Sequence, residues 1–284
     1  MPRMNIPLVK VRWLLIAVIA MSYVCGVGRA QLSRLYVSNN LNNGGWAIDV
    51  FRNQLFDFAF NTATPLSSTS EAAIAVWGDV RTASIDPTLG AGHLYDLNGN
   101  YLNQSYAPNG PPRPDGTSDG QYNYALVGGT VTQFDRQWQN PTSLFTSPTS
   151  RTFGYGITYD QVDQSLWIHS YEEDPITGAR TYWVEQFSKA GQRLGGAPVT
   201  SSSPFYFGEQ GGLALDPADR TLWIVNQTEF IQVGRNGVAL IDPINPNPFI
   251  YVNPPGAEFN LLVPEPASTM LAPVAFIFFR RRRR

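Results

Sequence analysis

Cysteine and histidine are almost absent from this sequence of 284 residues. Its one cysteine, Cys25, lies in the apolar N-terminal segment, so the body of the chain has no disulfide, no cysteine nucleophile and no thiolate metal site. Its two histidines, His93 and His169, belong to no His-x-x-x-His or His-Glu-x-x-His arrangement. This argues against a zinc hydrolase.

Sustained helical periodicity is also lacking between residues 31 and 262, and no phosphate-binding Gly-x-x-x-x-Gly-Lys-Ser/Thr loop occurs. The two terminal segments hold 9 of the 20 Lys and Arg residues but only 1 of the 22 Asp and Glu residues. Residues 31–262 therefore carry a formal charge of about −10. A body this acidic is not expected to bind nucleic acid or an anionic membrane.

The first 30 residues have the organisation of a secretory signal peptide. Basic residues precede an apolar run at 13–24. Gly28 and Ala30 then place small residues where a signal peptidase requires them, so cleavage is predicted between Ala30 and Gln31. An uncleaved membrane anchor is the alternative, and the shortness of the apolar run argues against it.

The last 22 residues carry a second pattern related to export. Pro264, Glu265 and Pro266 form an extended segment, because proline disfavours helix in the residue before it. The 13 apolar or small residues at 267–279 would span about 20 Å as a helix, which suits only transient membrane contact. Five arginines follow and are predicted to act as a cytoplasmic stop: Arg280, Arg281, Arg282, Arg283 and Arg284.

The segment Val263-Pro264-Glu265-Pro266-Ala267-Ser268, with the apolar stretch and the arginines, resembles the PEP-CTERM sorting signal of Gram-negative and planctomycete-type bacteria. The resemblance covers residues 263–284 only. It implies recognition and processing by an exosortase, after signal peptidase has acted, and an association with exopolysaccharide or cell-surface assembly. The chain is therefore predicted to be exported to the cell surface or the extracellular space. Its domains are a signal peptide (1–30), a body (31–262) and a sorting tail (263–284).

The body contains internal repeats. The segment from Gly156 to Ile168 recurs 56 residues later, from Gly212 to Ile224, with the same order of Gly, two Asp, Leu, Trp and Ile. An apolar marker before a turn also recurs at intervals of 44, 39, 53 and 46 residues. The five markers are Phe51, Tyr95, Phe134, Phe187 and Val233. Four short strands per forty-odd residues are typical of a β-propeller blade.

The repeat resembles the blades of NHL/SMP-30-like propellers. It predicts an all-β protein, a β-propeller of five blades, with six blades as the alternative. Closure of the ring is expected to use strands at 237–242 and 249–252, which would complete the first blade and leave no free sheet edge. A β-sandwich is the competing architecture, but it does not require the repeated turn motif.

Two tryptophans, Trp167 and Trp223, occupy equivalent repeat positions. Packing between blades is the favoured interpretation, and a platform for stacking sugars is the alternative. Four other tryptophans are less tied to the repeat and would be better ligand contacts if exposed: Trp46, Trp77, Trp138 and Trp183.

Two acidic pairs stand at the tight turns of the same repeats, Asp160 with Asp163 and Asp216 with Asp219. They are interpreted as caps of their own turns, and Ca²⁺ binding is the alternative. The acidic segments 115–119 and 172–174 are expected in solvated insertions on the rim of the propeller.

No catalytic residue, cofactor or resident metal follows from these patterns. The leading hypothesis is an exported binding or structural propeller that, by family association, is linked to polysaccharide. The alternative is a secreted propeller hydrolase of the glycosidase or lactonase type, in which two or three carboxylates converge on the central channel.

Overall fold

The computed structural model describes residues 33–40, 46–52, 54–63, 71–84, 90–108, 114–201, 211–226, 229–241, 243–244 and 256–262. These residues form 19 strands in five antiparallel sheets, and each sheet is one blade of a ring. The prediction of an all-β propeller with five blades is confirmed. No helix within those ranges would reach across a bilayer. The predicted signal peptide and sorting tail lie outside the described residues.

Blade 1 joins the two ends of the body. Its strands are β1 (Arg34–Asn40), β2 (Trp46–Arg52), β3 (Leu55–Asn61) and β19 (Ala257–Phe259). The sheet order is β19-β1-β2-β3, so the last strand of the body is the innermost strand of the first blade. Leu35 lies opposite Phe259 in an antiparallel pair. The chain therefore enters β1 and leaves β19 at the same end of the sheet.

Blades 2, 3 and 4 each contain four strands in chain order from the axis outward. Blade 2 contains β4 (Glu71–Val76), β5 (Val80–Ser84), β6 (Gly92–Tyr95) and β7 (Tyr101–Tyr106). Blade 3 contains β8 (Thr117–Ser118), β9 (Asn123–Val127), β10 (Thr130–Phe134) and β11 (Thr142–Thr146). Blade 4 contains β12 (Thr152–Asp160), β13 (Ser165–Glu173), β14 (Arg180–Ser188) and β15 (Arg193–Pro198).

Blade 5 contains β16 (Gly212–Leu215), β17 (Leu222–Val225) and β18 (Phe230–Val233). After β18 the chain turns at Gly237 and runs back beside it, with antiparallel bridges from Ala239 to Val233 and from Ile244 to Phe230. The expectation that 237–242 completes the first blade is wrong, because the tight turn returns this segment to its own blade. The ring is closed by β19 instead. The other expected segment, 249–252, lies outside the described residues.

The five sequence markers all lie in the third strand from the axis, one in each blade. Each is buried, with at most 2% of its surface exposed. Because each blade contains one marker, the number of residues between successive markers equals the length of a blade. Burial also follows the distance from the axis: every residue of the innermost strand β4 is buried, whereas five of the six residues of the outermost strand β7 are exposed. The innermost strands β19, β4, β8, β12 and β16 contact one another around the axis.

Candidate functional site

The innermost strands each have one edge without a strand partner, and that edge faces the axis. Backbone N–H groups on such an edge need another acceptor when they are buried. Asp115, just before β8, provides it: its carboxylate accepts hydrogen bonds from the N–H groups of Ile157 (2.9 Å), Leu213 (3.0 Å) and Ala257 (2.9 Å). The donors belong to blades 4, 5 and 1. One fully buried side chain of blade 3 therefore joins four of the five blades.

Glu258 of β19 is a second fully buried acid at the axis. Its Oε1 accepts hydrogen bonds from Thr158 Oγ1 (2.9 Å) and from the N–H of Phe259 (3.0 Å). The Thr158 hydroxyl in turn accepts a hydrogen bond from the N–H of Leu215 (3.1 Å). Blades 1, 4 and 5 are thus connected a second time through side chains on the axis.

Burial raises the pKa of Asp115 to about 8, although its backbone N–H partners act in the opposite direction. Burial likewise raises the pKa of Glu258 well above its ordinary value, and the charge of Asp115 adds to the effect. The hydrolase alternative requires channel carboxylates that a substrate can reach. Neither of these acids is exposed, so their arrangement gives that alternative no support.

The repeat explains where Asp115 lies. Each of the three residues whose N–H groups bind Asp115 comes directly after a glycine. Each glycine is followed four positions later by a turn residue: Gly156 by Asp160, Gly212 by Asp216, and Gly256 by Asn260. Asp115 has the same spacing from Asp119. The expectation that 115–119 forms a solvated insertion is therefore wrong, because residues 115–118 are buried at the axis and Thr117–Ser118 form the innermost strand of blade 3. Alignment of Asp119 with the other turn aspartates is the sequence signal that identifies it.

The inner strands approach too closely at Gly156 and Gly256 to leave room for a side chain. A Cβ added to Gly256 would lie 2.1 Å from the carbonyl oxygen of Ala72. Asp115 occupies space that these glycines leave on the axis.

Three junctions between blades contain an ion pair at the same place in the repeat. A basic residue in the turn after the third strand of one blade binds an aspartate in the turn after the innermost strand of the preceding blade. The pairs are Arg136 with Asp79 (2.5 Å), Lys189 with Asp119, and Arg235 with Asp163 (2.5 Å). At the junction of blades 1 and 2, Arg34 instead donates to the carbonyl oxygen of Leu97 (3.2 Å).

The junction of blades 5 and 1 differs, because it contains a pocket of about 210 Å³. Asp216 and Asp219 line the pocket, and no Lys or Arg of the described residues pairs with them. Asp216 accepts a hydrogen bond from Ser33 Oγ (2.7 Å), and Asp219 accepts from Gln232 Nε2 (3.3 Å). The pocket is also lined by Leu35, Phe51, Gln54, Trp223 and Phe259.

Three of the four aspartates, Asp160, Asp216 and Asp219, cap their own turns, as the sequence predicts, whereas Asp163 does not. Asp160 accepts a hydrogen bond from the N–H of Val162 (3.0 Å), and Asp216 accepts from the N–H of Ala218 (2.8 Å). Asp163 is bound by arginines, which occupy the place that Ca²⁺ would take. In the part of the chain that the structure describes, no group of three or more His, Cys, Asp or Glu side chains is placed to hold a metal ion.

The two repeated tryptophans are buried between blades, which confirms the packing interpretation: Trp167 is 2% exposed and Trp223 is 5% exposed. They differ in their surroundings. The guanidinium of Arg235 lies over the Trp167 ring at 5.1 Å, whereas Trp223 lines the pocket. Trp138 is also fully buried, and the guanidinium of Arg151 lies 3.6 Å from the ring centroid of the partly buried Trp183.

The two histidines lie in separate blades and form no common site. His93 Nδ1 is 2.7 Å from Glu71 Oε1 in the interior of blade 2, where Glu71 is fully buried. His169 is fully buried in blade 4 and stacks on Tyr182, and burial lowers its pKa to about 4. The His93–Glu71 contact joins residues 22 positions apart, and no motif in the sequence indicates it.

One Gly-x-Ser-x-Gly pattern, Gly116 to Gly120, has the wrong structural context for a hydrolase nucleophile. That motif needs a turn from a strand into a helix, whereas Ser118 ends β8 before a turn into another strand. Ser118 is fully buried and donates its hydroxyl to the carbonyl oxygen of Tyr122 (2.9 Å). By contrast, the acidic segment 172–174 is exposed at the end of β13, as the sequence predicts.

The residues predicted for processing lie outside the described ranges. They are the cleavage site Ala30 and Gln31, the sorting motif Pro264, Glu265 and Pro266, and the arginines Arg280 to Arg284. The first and last described residues are Ser33 and Leu262, which lie at the same end of the β1–β19 pair.

Solved structures share the propeller architecture at low sequence identity. A chain of a nidogen/laminin complex superposes with a TM-score of 0.50 at 11% identity, covering 81% of this chain and 100% of that one. A Bacteroides caccae protein of unknown function has a TM-score of 0.41 at 10% identity, covering 81% and 99% of the two chains. Myxococcus xanthus glutaminyl cyclase has a TM-score of 0.41 at 13% identity, covering 73% and 76%. No protein-family model and no curated protein matches the sequence. The nidogen/laminin comparison supports the fold only.

Proposed function

We propose that this chain is an exported propeller that acts by binding at the cell surface, is sorted by an exosortase-type system, and associates with exopolysaccharide. The binding role rests on one contrast. The acids at the axis are buried, whereas the pocket at the junction of blades 5 and 1 is open. The buried acids of the axis are engaged by the protein itself. The pocket at the junction of blades 5 and 1 presents polar and aromatic side chains together, as ligand sites do.

The sorting part of the proposal rests on the two terminal segments of the sequence. The closure of blade 1 is compatible with it, because Ser33 and Leu262 leave the propeller at the same end of one strand pair. Both terminal segments therefore start from one side of the folded body. Processing enzymes at a membrane can act on either segment while the body faces away.

Mass spectrometry of the protein recovered from its host tests the sorting proposal. We expect a chain that begins at Gln31 and has lost the residues beyond the Pro264–Pro266 motif. A variant with Pro264, Glu265 and Pro266 all replaced by alanine is expected to keep its arginines and to stay with the membrane fraction. Alanines in place of Asn253, Pro254 and Pro255 provide a matched control, because they remove two prolines outside residues 263–284. An exported wild-type chain that retains its arginine tail would contradict the proposal.

Association with polysaccharide needs a separate measurement. The protein is expected to co-sediment with the host's purified exopolysaccharide, and excess free polysaccharide is expected to release it. If the protein instead stays in the supernatant at every polysaccharide concentration, the polysaccharide part of the proposal is wrong while the sorting part stands.

A further inference from the structure

The last described residue lies at the centre of one face of the propeller. Leu262 follows the innermost strand β19 and packs against the turn after β4, the innermost strand of blade 2. A Cβ added to Gly78 in that turn would lie 2.8 Å from Leu262 Cδ2. The N–H of Gly78 also donates to Asn260 Oδ1 (2.9 Å). The chain therefore leaves the body beside the axis and not at the outer strands.

The covalent chain allows only a short distance between this point and the apolar run of the tail. Four residues, 263–266, separate Leu262 from Ala267, where the run begins. Even when the chain is fully extended, the steps from Leu262 to Ala267 span at most about 18 Å. The headgroup layer occupies about 5–8 Å of that length. While the apolar run is in a membrane, Leu262 therefore lies no more than about 10–13 Å above the headgroups.

A short linker at the centre of a face fixes which side of the body meets the membrane. Four strands spaced about 4.8 Å apart extend a blade by about 14 Å from its innermost strand. A body that rested on its outer strands would hold Leu262 above the reach of the linker. A body that rested on its opposite face would hold Leu262 higher still. The face around Leu262 is therefore the one that approaches the headgroups.

The side chains at the centre of this face suit a lipid surface. The face is formed by the segments that follow the innermost strands, and four of the five carry a large apolar side chain that is exposed or partly buried: Trp77, Tyr122, Val162 and Leu262. Val162 is 64% exposed and Leu262 is 44% exposed. Trp77 packs on the segment of blade 3, where a Cβ added to Gly120 would lie 2.6 Å from its ring. Tryptophan and tyrosine are enriched where proteins meet lipid headgroups.

The charges on the same face indicate which lipids it would meet. Three of its aspartates are paired with a basic residue of the next blade: Asp79 with Arg136, Asp119 with Lys189, and Asp163 with Arg235. Asp216 and Asp219 have no cation among the described residues. The face is thus neutral or negative around its apolar centre, so anionic headgroups would be repelled and zwitterionic headgroups would not.

We infer that this face of the propeller lies on the zwitterionic lipid surface of a membrane while the tail is in the bilayer. Trp77, Tyr122, Val162 and Leu262 contact the headgroup region, and the rest of the body points away from the membrane. The inference rests on the proposed sorting, because it requires the apolar run of the tail to enter the bilayer. It adds to that proposal the side of the body that a processing enzyme in the membrane would meet.

Single cysteine labels at the two ends of blade 4 test the orientation. The chain from Gln31 to Arg284 contains no cysteine and includes every described residue. V162C places a fluorescent label in the turn after β12, and I176C places the same label in the turn after β13. Both native side chains are exposed, and the nine-residue strand β13 separates the two turns by about 30 Å. Each labelled chain is mixed with phosphatidylcholine vesicles, and bound protein is recovered by flotation.

Vesicles whose headgroups carry a nitroxide quencher give the readout. They are expected to lower the emission of bound V162C about twofold or more, because an interfacial residue lies within about 10 Å of the headgroups. The emission of bound I176C is expected to stay unchanged.

The variants V162D and I176D form a matched pair without a label. V162D removes an apolar side chain from the contact and is expected to weaken partition into the vesicles about threefold or more. I176D changes a more exposed side chain on the opposite face and is expected to partition as the wild type does.

Equal quenching of the two labels, or quenching of I176C alone, would overturn the inference and leave the sorting proposal intact. Equal partition of V162D and I176D would also overturn it, because Val162 would then make no contact with lipid. If the unmodified chain does not float with the vesicles, the inference is wrong as well. Mass spectrometry of the chain recovered from its host then decides separately whether the sorting proposal stands.

Discussion

The protein has two pairs of acids at places where blades meet, and the two pairs are used differently. At the axis, Asp115 and Glu258 are fully buried, and backbone N–H groups or a hydroxyl from other blades donate to them. At the rim, Asp216 and Asp219 face a pocket and have no cation among the described residues. Buried carboxylates therefore join blades at the axis, whereas carboxylates line an open pocket at the junction of blades 5 and 1.

Removal of the axial carboxylate is expected to have the largest effect on stability. D115A leaves the N–H groups of Ile157, Leu213 and Ala257 without their acceptor, which we expect to lower the free energy of unfolding by about 3–5 kcal/mol. Urea denaturation measures the change. The control E172A alters an exposed acid whose ion pair with Arg151 is 3.8 Å long, and it is expected to change the unfolding midpoint little. A D115A variant as stable as that control would show that the axial acid is dispensable.

The axial acids also predict how stability depends on pH. The pKa of Asp115 in the folded protein, about 8, is above the value of about 4 expected in the unfolded chain. The folded state therefore binds more protons between these values. The stabilisation is complete below the unfolded pKa and is lost as the pH rises through the folded pKa. We expect the free energy of unfolding to fall by up to about 1.4 kcal/mol per pH unit over this range.

D115N provides the matched test of that assignment, since asparagine keeps the shape and cannot ionise. The slope between pH 5 and pH 8 is expected to become shallower in D115N, and shallower again when E258Q is added. The assignment fails if the wild-type protein becomes more stable with rising pH, or if D115N keeps the full wild-type slope.

At the rim, loss of a basic residue from an occupied junction is expected to have a moderate effect. R235A removes the ion pair with Asp163 and the guanidinium over Trp167, which together contribute about 1–2 kcal/mol to the free energy of unfolding. R180A also removes an ion pair, with Glu173, and a guanidinium over an aromatic ring, Tyr171, but at a more exposed site, so a smaller loss is expected. Thermal denaturation measures the midpoint of both variants. Equal decreases would mean that the ion pair at the junction stabilises the protein no more than an exposed ion pair does.

Addition of a basic residue at the open junction is expected to have the smallest effect on stability. N53R places a cation two residues after the marker of blade 1, the spacing at which Arg136, Lys189 and Arg235 pair with aspartates. It should raise the free energy of unfolding by no more than about 1 kcal/mol, because ion pairs near the surface contribute little. Destabilisation by N53R in 50 mM salt, measured by urea denaturation, would contradict the claim that this junction lacks a cation.

The sequence is sufficient to predict the blades because the repeat is local. Each marker, such as Phe187, ends a strand that packs inside its own blade, so its spacing reports the blade without knowledge of the ring. The turn aspartates are equally local, since Asp160 and Asp216 cap residues two positions away. These features were predicted correctly for that reason.

The sites depend on contacts between blades, which the local pattern does not contain. Asp115 stands in a Pro- and Gly-rich segment that is typical of a surface loop, yet its hydrogen-bond partners lie 42, 98 and 142 positions away. The pocket likewise is lined by residues of two blades, and it can be recognised only when blade 5 is placed beside blade 1. The closing strand was misplaced for a related reason, because residues 237–242 return to β18.

The pairing of β19 with β1 also sets the point in folding at which the ring can close. Leu35 and Phe259 are more than 200 residues apart in the chain, so the ring closes only when almost the whole body is available to fold. Contacts this distant in sequence form late and slowly, because a very long loop must close first. Until then Asp115 lacks its donor from Ala257 and blade 1 lacks its innermost strand. A chain that ends before β19 is therefore expected to keep an open ring, whatever the stability of its separate blades.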